Sequence, residues 1–339
     1  MVKMKTENRI FYYDFLRAFA IIAIILCHVD GMIGYSFRSL KLALPGLFTT
    51  IALTGVPLFF MLSGALLLNK NYSLEEFYKK RFTRIIYPFL LWIVITSIIG
   101  VVFLNWTDTE ILNFIFGINT PTWYIWSLIG IYLLMPVINA YLKEYDLKGL
   151  EIFLIIWVIT LLFNSYEPLL LKPLELRYFS GYVGYVALGY YLDNKQFKLS
   201  DKTILYSSIA VFAVSTLIHM INMYYQLNLY TEYYQNIIIA TQVASLFLMI
   251  KYWDKCSLNP KSIYNRIKSN FIGKMIVSIS ICSYGMFLGH YIILQCIKPL
   301  NIHSLKLLPV ILVIVVFLSW LITYAFSKIP YLKRISGVN

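Results

Sequence analysis

Charged residues are scarce in this sequence. Asp, Glu, Lys and Arg make up 13% of the 339 residues, apolar residues make up 60%, and the mean hydropathy is +0.71. A soluble domain has about 25% charged residues, so this composition excludes one. Apolar runs of about seventeen or more residues recur from end to end, and each is long enough to cross a hydrocarbon core of about 30 Å. The sequence therefore predicts an all-α, polytopic integral membrane bundle, formed by a single domain over residues 1–339.

Several motifs with familiar chemistry are also missing. Cys27, Cys256, Cys282 and Cys296 are scattered, with no CxxC pair and no disulfide framework, so they indicate nothing about the redox compartment. The chain has no cluster of metal ligands, no P-loop and no glycine-rich dinucleotide turn. We therefore expect no metal ion.

About ten transmembrane helices are predicted, with both termini in the cytoplasm. In this topology 22 of the 29 Lys and Arg residues lie in cytoplasmic segments and six in outside loops, as the positive-inside rule requires. The same asymmetry explains the net charge of +13 without a nucleic-acid partner. We expect a multi-pass protein of the cell membrane. The predicted spans are 11–32, 46–68, 86–104, 122–141, 150–165, 178–192, 204–222, 234–250, 276–297 and 307–326.

The first span sets Asp14, Arg17 and His28 into a largely apolar run, DFLRAFAIIAIILCHVDG at residues 14–31. Arg17 and His28 are eleven residues apart, which on an α-helix places them on one face and about 16 Å apart along the axis. Asp14 lies one turn before Arg17 and is expected to pair with it. The pattern predicts a polar path through the membrane. The alternative is an interfacial ion pair and a hydrogen-bonded packing histidine.

A basic segment follows the second span, YSLEEFYKKRFTRIIYP at residues 72–88. Ser73 and Glu76 predict a capping box at the start of a short helix. Arg81 and Arg84 lie one turn apart on the cytoplasmic side, and their guanidinium groups suit phosphate oxygens. An interfacial helix that binds anionic lipid is an equally good interpretation of these residues.

Two stretches place aromatic or histidine residues inside later spans. TPTWYIWSL, at residues 120–128, carries Trp123 and Tyr124, which are typical of an interfacial aromatic belt. SYGMFLGH, at residues 283–290, puts His290 inside the ninth span, as a packing residue or as a second site histidine.

In their order along the chain, these stretches resemble the acyltransferase type 3 family. The first span has the family's Arg, ten residues and His, and GVPLFFMLSGALLL at residues 55–68 is similar to its VPxFFxxSG element. The basic segment resembles RxxRIxxP, FSGYVGYVALGYYL at residues 179–192 resembles YxxYFxLGYxL, and SYGMFLGH resembles SxGxYLxH with Phe287 in place of Tyr. The resemblance implies acyl transfer, with acetyl as the expected group, from cytosolic acyl-CoA to an extracytoplasmic hydroxyl, expected to belong to a cell-surface glycan.

The resemblance also implies roles for particular residues. Acyl transfer needs a base for the acceptor hydroxyl and support for the oxyanion, and His28 is the expected base. The residues expected to complete the catalytic set are Asp14, Arg17 and Tyr124. The residues expected to bind acyl-CoA are Arg17, Lys80, Arg81 and Arg84. The residues expected to contact the acceptor are Trp123, Tyr124 and His290.

Transport is the main alternative function. The polar face of the first span is also suited to a small polar solute such as an amino acid, with His28 as a proton relay. Membrane domains that resemble this family are attached to amino-acid racemases in resistance systems, so the chain is alternatively the membrane part of such a protein. A scaffold without turnover is a third interpretation, and it predicts that His28→Ala has no functional effect.

Overall fold

The structure is a computed structural model that describes residues 9–33, 43–163, 179–225, 227, 234–302, 304–333 and 335–338. These residues form helices, turns and loops, and no strand occurs among them, which confirms the all-α membrane bundle. The α-helices are α1 Phe11–Ile33, α2 Ala43–Ala52, α3 Gly55–Leu67, α4 Leu74–Leu104, α5 Asp108–Phe116, α6 Trp123–Phe163, α7 Val183–Asn194, α8 Asp201–Tyr225, α9 Ile237–Cys256, α10 Ile263–Ser269, α11 Phe271–Ile297, α12 Leu308–Lys328 and α13 Pro330–Lys333.

Among the described residues, seven helical segments are long and apolar enough to cross a membrane. They match seven of the predicted spans, α2 and α3 together forming the second. The seven segments are Phe11–Ile33, Gly46–Leu67, Leu74–Leu104, Asp201–Tyr225, Ile237–Cys256, Phe271–Leu300 and Leu305–Lys328.

The other three predicted spans fall on α6 and α7. Asp146, with φ 51° and ψ −153°, interrupts α6 between the predicted spans 122–141 and 150–165. The helix α7 has only 12 residues. Residues 164, 165 and 178, at the edges of two of these spans, lie outside the described residues. Ten spans and cytoplasmic termini therefore stay predictions.

The helix α4 corrects the sequence-based division of residues 72–104 into a short basic helix and a separate span. The Ser73 hydroxyl caps its start, accepting a hydrogen bond from the Glu76 N–H at 3.2 Å, which is one half of the predicted capping box. The helix then continues through Pro88 to Leu104. Proline is tolerated within membrane helices where neighbours satisfy the affected backbone. Pro88 has no N–H for the Arg84 carbonyl, and the Tyr284 hydroxyl donates to the next carbonyl, that of Ile85, at 2.9 Å.

The helix α1 lies in the centre of the bundle and packs against α2, α3, α9, α11 and α12. Its first turn meets the end of α7, where the Tyr12 hydroxyl donates to Asp193 at 2.6 Å. Lys251, near the end of α9, donates to the Leu192 carbonyl at 3.0 Å. The loop before α4 reaches the same place, because Asn69 donates to the Tyr190 hydroxyl at 3.0 Å. We call this the basic end of the bundle.

Candidate functional site

A cavity of about 370 Å³ lies between α1, α3, α4, α6 and α11. It runs from Arg84, which is exposed at the basic end, to Tyr124 and Phe287, which are buried. Arg17 and Arg81 also line it, so three arginines that the sequence predicts to bind the donor share one space. We call it the arginine cavity. Its hydroxyl-bearing residues are Ser63, Tyr124, Tyr132, Ser283 and Tyr284.

Asp14 does not pair directly with Arg17, which corrects the sequence-based prediction. Its carboxylate accepts hydrogen bonds from two nitrogens of Arg9, the first at 3.0 Å, and this forked geometry favours Arg9 as its partner. Ser280, which is fully buried on α11, lies between Asp14 and Arg17. The Ser280 hydroxyl donates to Asp14 at 2.6 Å and accepts from the Arg17 guanidinium at 3.5 Å. Among the hydrogen bonds of the described residues, Asp14 is therefore connected to Arg17 through Ser280.

His28 and His290 lie side by side, with ring centroids 5.0 Å apart. Nδ1 of His28 is 2.8 Å from the Ile24 carbonyl, and Nδ1 of His290 is 2.6 Å from the Phe287 carbonyl. Because a carbonyl oxygen only accepts hydrogen bonds, each Nδ1 carries the proton and each neutral ring has its lone pair on Nε2. Nε2 of His290 is buried and has no partner among the described residues. The pair thus presents two basic nitrogens.

One aromatic layer separates the arginine cavity from the two histidines. The ring of Phe287 is 5.0 Å from that of Tyr124, which lines the cavity, and 5.7 Å from that of His290. Tyr124 also packs at 5.0 Å against Phe60. A chain of ring contacts therefore connects the inner end of the cavity to His290 and, through it, to His28.

Of the predicted site residues that do not line the arginine cavity, Lys80 and Trp123 also lie away from the histidines. The Lys80 ammonium is at the surface, 5.5 Å from the Tyr72 ring centroid. Trp123 packs against Tyr182 at 5.5 Å and Tyr234 at 5.7 Å. Neither side chain meets Arg17 or the histidines in the contacts of the described residues.

Sequence reasoning missed other buried polar residues near the site. Ser280 is one small residue in the run SISICSYG, where nothing local distinguishes it from its neighbours. Asp30 is buried and accepts a hydrogen bond from the Thr49 hydroxyl. An acid two residues after His28 in a membrane span is a signal that could have drawn attention to it. In the part of the chain that the structure describes, no three His, Cys, Asp or Glu side chains come together as metal ligands would.

A bundle of membrane helices with an arginine-lined cavity and paired histidines defines a class of polytopic membrane protein with a polar interior. The family model described as an acyltransferase domain, of acyltransferase type 3, matches residues 10–327. The match covers nearly the whole chain, so the chain belongs to this family and is a membrane acyltransferase. No curated protein and no solved structure matches it.

Proposed function

We propose that the protein moves an acyl group, acetyl in the first instance, from cytosolic acyl-CoA to a hydroxyl of an extracytoplasmic glycan. One observation carries the proposal: three arginines line a cavity whose inner end is one aromatic layer from a pair of neutral histidines. An acyltransferase that works across a membrane needs an anion-binding entrance for its donor and a base near its acceptor, and this arrangement supplies both.

The donor enters at the basic end, which the positive-inside rule assigns to the cytoplasm. The guanidinium groups of Arg81 and Arg84 at the outer part of the cavity suit the phosphate oxygens of coenzyme A. The pantetheine arm then passes Arg17 toward Tyr124 and Phe287. Because transfer requires the thioester to reach His28, the aromatic layer must part during the reaction.

The transfer step uses the lone pair on Nε2 of His28. This nitrogen takes the proton of the acceptor hydroxyl as the hydroxyl oxygen attacks the thioester carbonyl carbon. The Tyr124 hydroxyl donates a hydrogen bond to the developing oxyanion. The carbon–sulfur bond then breaks, the proton passes from His28 to the departing thiolate, and the products are an ester and free coenzyme A. His290 orients the acceptor from the neighbouring position, with its own Nε2 accepting a hydrogen bond.

The test uses purified protein in lipid vesicles, acetyl-CoA labelled in the acetyl group, and a cell-wall glycan extract. We expect label in the glycan with wild type and a loss of at least 100-fold with His28→Ala, because a general base contributes 10²- to 10⁴-fold. His219→Gln is the control, since His219 is also a helical histidine but is buried on α8.

Label transfer that survives in His28→Ala contradicts the role of His28 as base. Acetyl-CoA that neither binds nor turns over contradicts the donor. Uptake of a small polar solute without consumption of acetyl-CoA supports the transport interpretation instead.

A further inference from the structure

We propose that a second, smaller cavity beside the arginine cavity binds the adenosine 3′-phosphate end of the donor, so that one coenzyme molecule occupies both cavities. The second cavity has a volume of about 170 Å³ and lies between α3, the start of α4 and the middle of α6. The assignment of this cavity to the acyl donor rests on the proposed function. The ligand of this cavity is a purine nucleotide that carries a phosphate on the ribose.

The two cavities are neighbours. Leu67 lines both of them. Arg81 lines the arginine cavity, while its guanidinium lies 6.0 Å from the ring centroid of Tyr72 and 6.0 Å from that of Phe77, which both line the second cavity. A diphosphate held by Arg81 therefore has the arginine cavity on one side and the second cavity on the other. Coenzyme A has the same order of parts, with its diphosphate between the pantetheine arm and the adenosine.

The lining of the second cavity suits a nucleoside. Tyr72 is partly exposed, so its ring offers a face on which a purine base can stack. Buried Phe77 supports it at 6.1 Å. Apolar side chains of Met135 and Pro136 provide the opposite wall. Stacking does not require hydrogen bonds to particular base atoms, so the residues present are sufficient to hold the base.

The loop that carries Tyr72 is held in place by α6. The Asn139 side chain accepts a hydrogen bond from the backbone N–H of Asn69 and donates to the Lys70 carbonyl at 3.1 Å. The Lys143 ammonium donates to the Asn71 side-chain oxygen at 2.9 Å. These three bonds fix the wall of the cavity before any ligand arrives, which lowers the entropy cost of binding.

Charge around the cavity favours a phosphate. Lys143 lines it and uses one of its three N–H groups on Asn71, so two remain for a phosphate on the ribose. Lys80 lines neither cavity, but its ammonium is 5.5 Å from the Tyr72 ring centroid, so it adds positive charge next to the second cavity. The acids Glu75 and Glu76 are exposed and do not line it. The ammonium of Lys143 in the lining and the aromatic face of Tyr72 distinguish the cavity from a groove for lipid tails.

The first experiment measures binding of adenosine 3′,5′-bisphosphate to the purified protein by calorimetry. We expect the dissociation constant to rise at least tenfold in Tyr72→Ala and in Lys143→Ala, and to stay near the wild-type value in Tyr72→Phe. Matched controls are Tyr331→Ala and Lys148→Ala, which remove an exposed tyrosine and an exposed lysine outside the cavity. Unchanged binding in Tyr72→Ala and Lys143→Ala overturns the proposal.

The second experiment compares acetyl-CoA with S-acetyl-phosphopantetheine, which lacks the nucleoside. We expect Tyr72→Ala and Lys143→Ala to raise KM for acetyl-CoA about tenfold and to leave KM for the truncated donor unchanged. An equal loss with both donors overturns the proposal, because it shows a merely structural role. The proposal is also overturned if Tyr72→Ala and Lys143→Ala change only the binding of phosphatidylglycerol vesicles. A third outcome separates the two proposals. If nucleotide binding depends on Tyr72 and Lys143 but the wild-type protein transfers no acyl group, the nucleotide site is supported and the proposed function is contradicted.

Discussion

At the scale of single residues, the buried charges of α1 depend on hydrogen bonds from another helix. An unpaired charge inside a membrane protein is costly, so intramembrane charged groups are paired with each other or with polar partners. Asp14 meets Arg9 and Ser280, and Arg17 meets Ser280 alone among the hydrogen bonds of the described residues. Ser280 therefore connects an ion pair at the basic end to the arginine that faces the cavity.

Ser280→Ala tests whether this hydroxyl positions Arg17. A hydrogen bond to a charged group contributes about 1.5–3 kcal/mol, so its loss is expected to raise KM for the acyl donor about tenfold or more. The acceptor KM is expected to stay constant, because the histidine pair lies elsewhere. Steady-state kinetics with each substrate varied in turn provide the measurement.

Ser278→Ala is the matched control for Ser280→Ala. Ser278 lies two residues earlier on α11, and its hydroxyl accepts from the Trp320 indole at 2.9 Å instead of contacting Asp14 or Arg17. Equal donor KM values for Ser280→Ala and wild type would show that Arg17 keeps its position without the serine.

At the scale of elements, the crossing of α3 and α7 depends on two glycines. A Cβ on Gly64 would overlap the Val186 carbonyl, and a Cβ on Gly189 would overlap the Met61 carbonyl. Each helix thus presents a glycine to the backbone of the other, which is how membrane helices without a hydrophobic driving force approach closely. The crossing matters for the site because α3 also supplies Phe59, Leu62 and Ser63 to the arginine cavity.

Gly64→Ala is expected to destabilise the protein, because the added methyl group can be accommodated only if α3 and α7 move apart. Overpacking of this kind costs about 1–3 kcal/mol, which we expect to appear as a lower melting temperature in detergent and a smaller monodisperse fraction. Gly130→Ala on α6 is the control, since a Cβ there has open space around it. If both variants melt at the wild-type temperature, the close crossing is not required for stability.

At the scale of the whole molecule, the basic end defines an orientation in the membrane. Loops and helix ends there carry most of the Lys and Arg of the described residues. The cationic residues at this end include Arg9, Lys70, Lys80, Arg81, Arg84, Lys195 and Lys251. Anionic coenzyme A is a cytosolic compound, so the proposed function requires this end to be cytoplasmic.

Cysteine labelling tests this orientation. Leu258 and Leu300 are exposed leucines at opposite ends of the bundle, after α9 and after α11. In a protein whose native cysteines are replaced by serine, we expect a membrane-impermeant maleimide to label Leu300→Cys on intact cells and Leu258→Cys only after permeabilisation. The reverse pattern would place the arginine cavity on the outside and contradict the cytosolic donor.

Much of the architecture could be predicted from the sequence. Hydropathy and helical periodicity are local properties, so they located the seven segments confirmed as candidate spans and the cap of Ser73 at the start of α4. They misplaced a helix boundary near Pro88, because a proline ends most helices and its accommodation inside a membrane helix depends on the neighbouring helices. The motif order along the chain was sufficient to indicate the family that the match over residues 10–327 confirms.

The sequence by itself determined the class of protein and the residue types of the site. Charged residues are rare in membrane helices, so those of α1 are recognisable from the sequence alone. Only the tertiary structure decided which of those residues meet. Arg17 contacts Ser280 across 263 positions, and His28 lies against His290 through the packing of α1 on α11. No local pattern encodes such contacts, because they depend on how whole helices pack and on glycines that let them approach. The structure also shows that Asp14 pairs with Arg9, five residues earlier, while Arg17 lines the cavity.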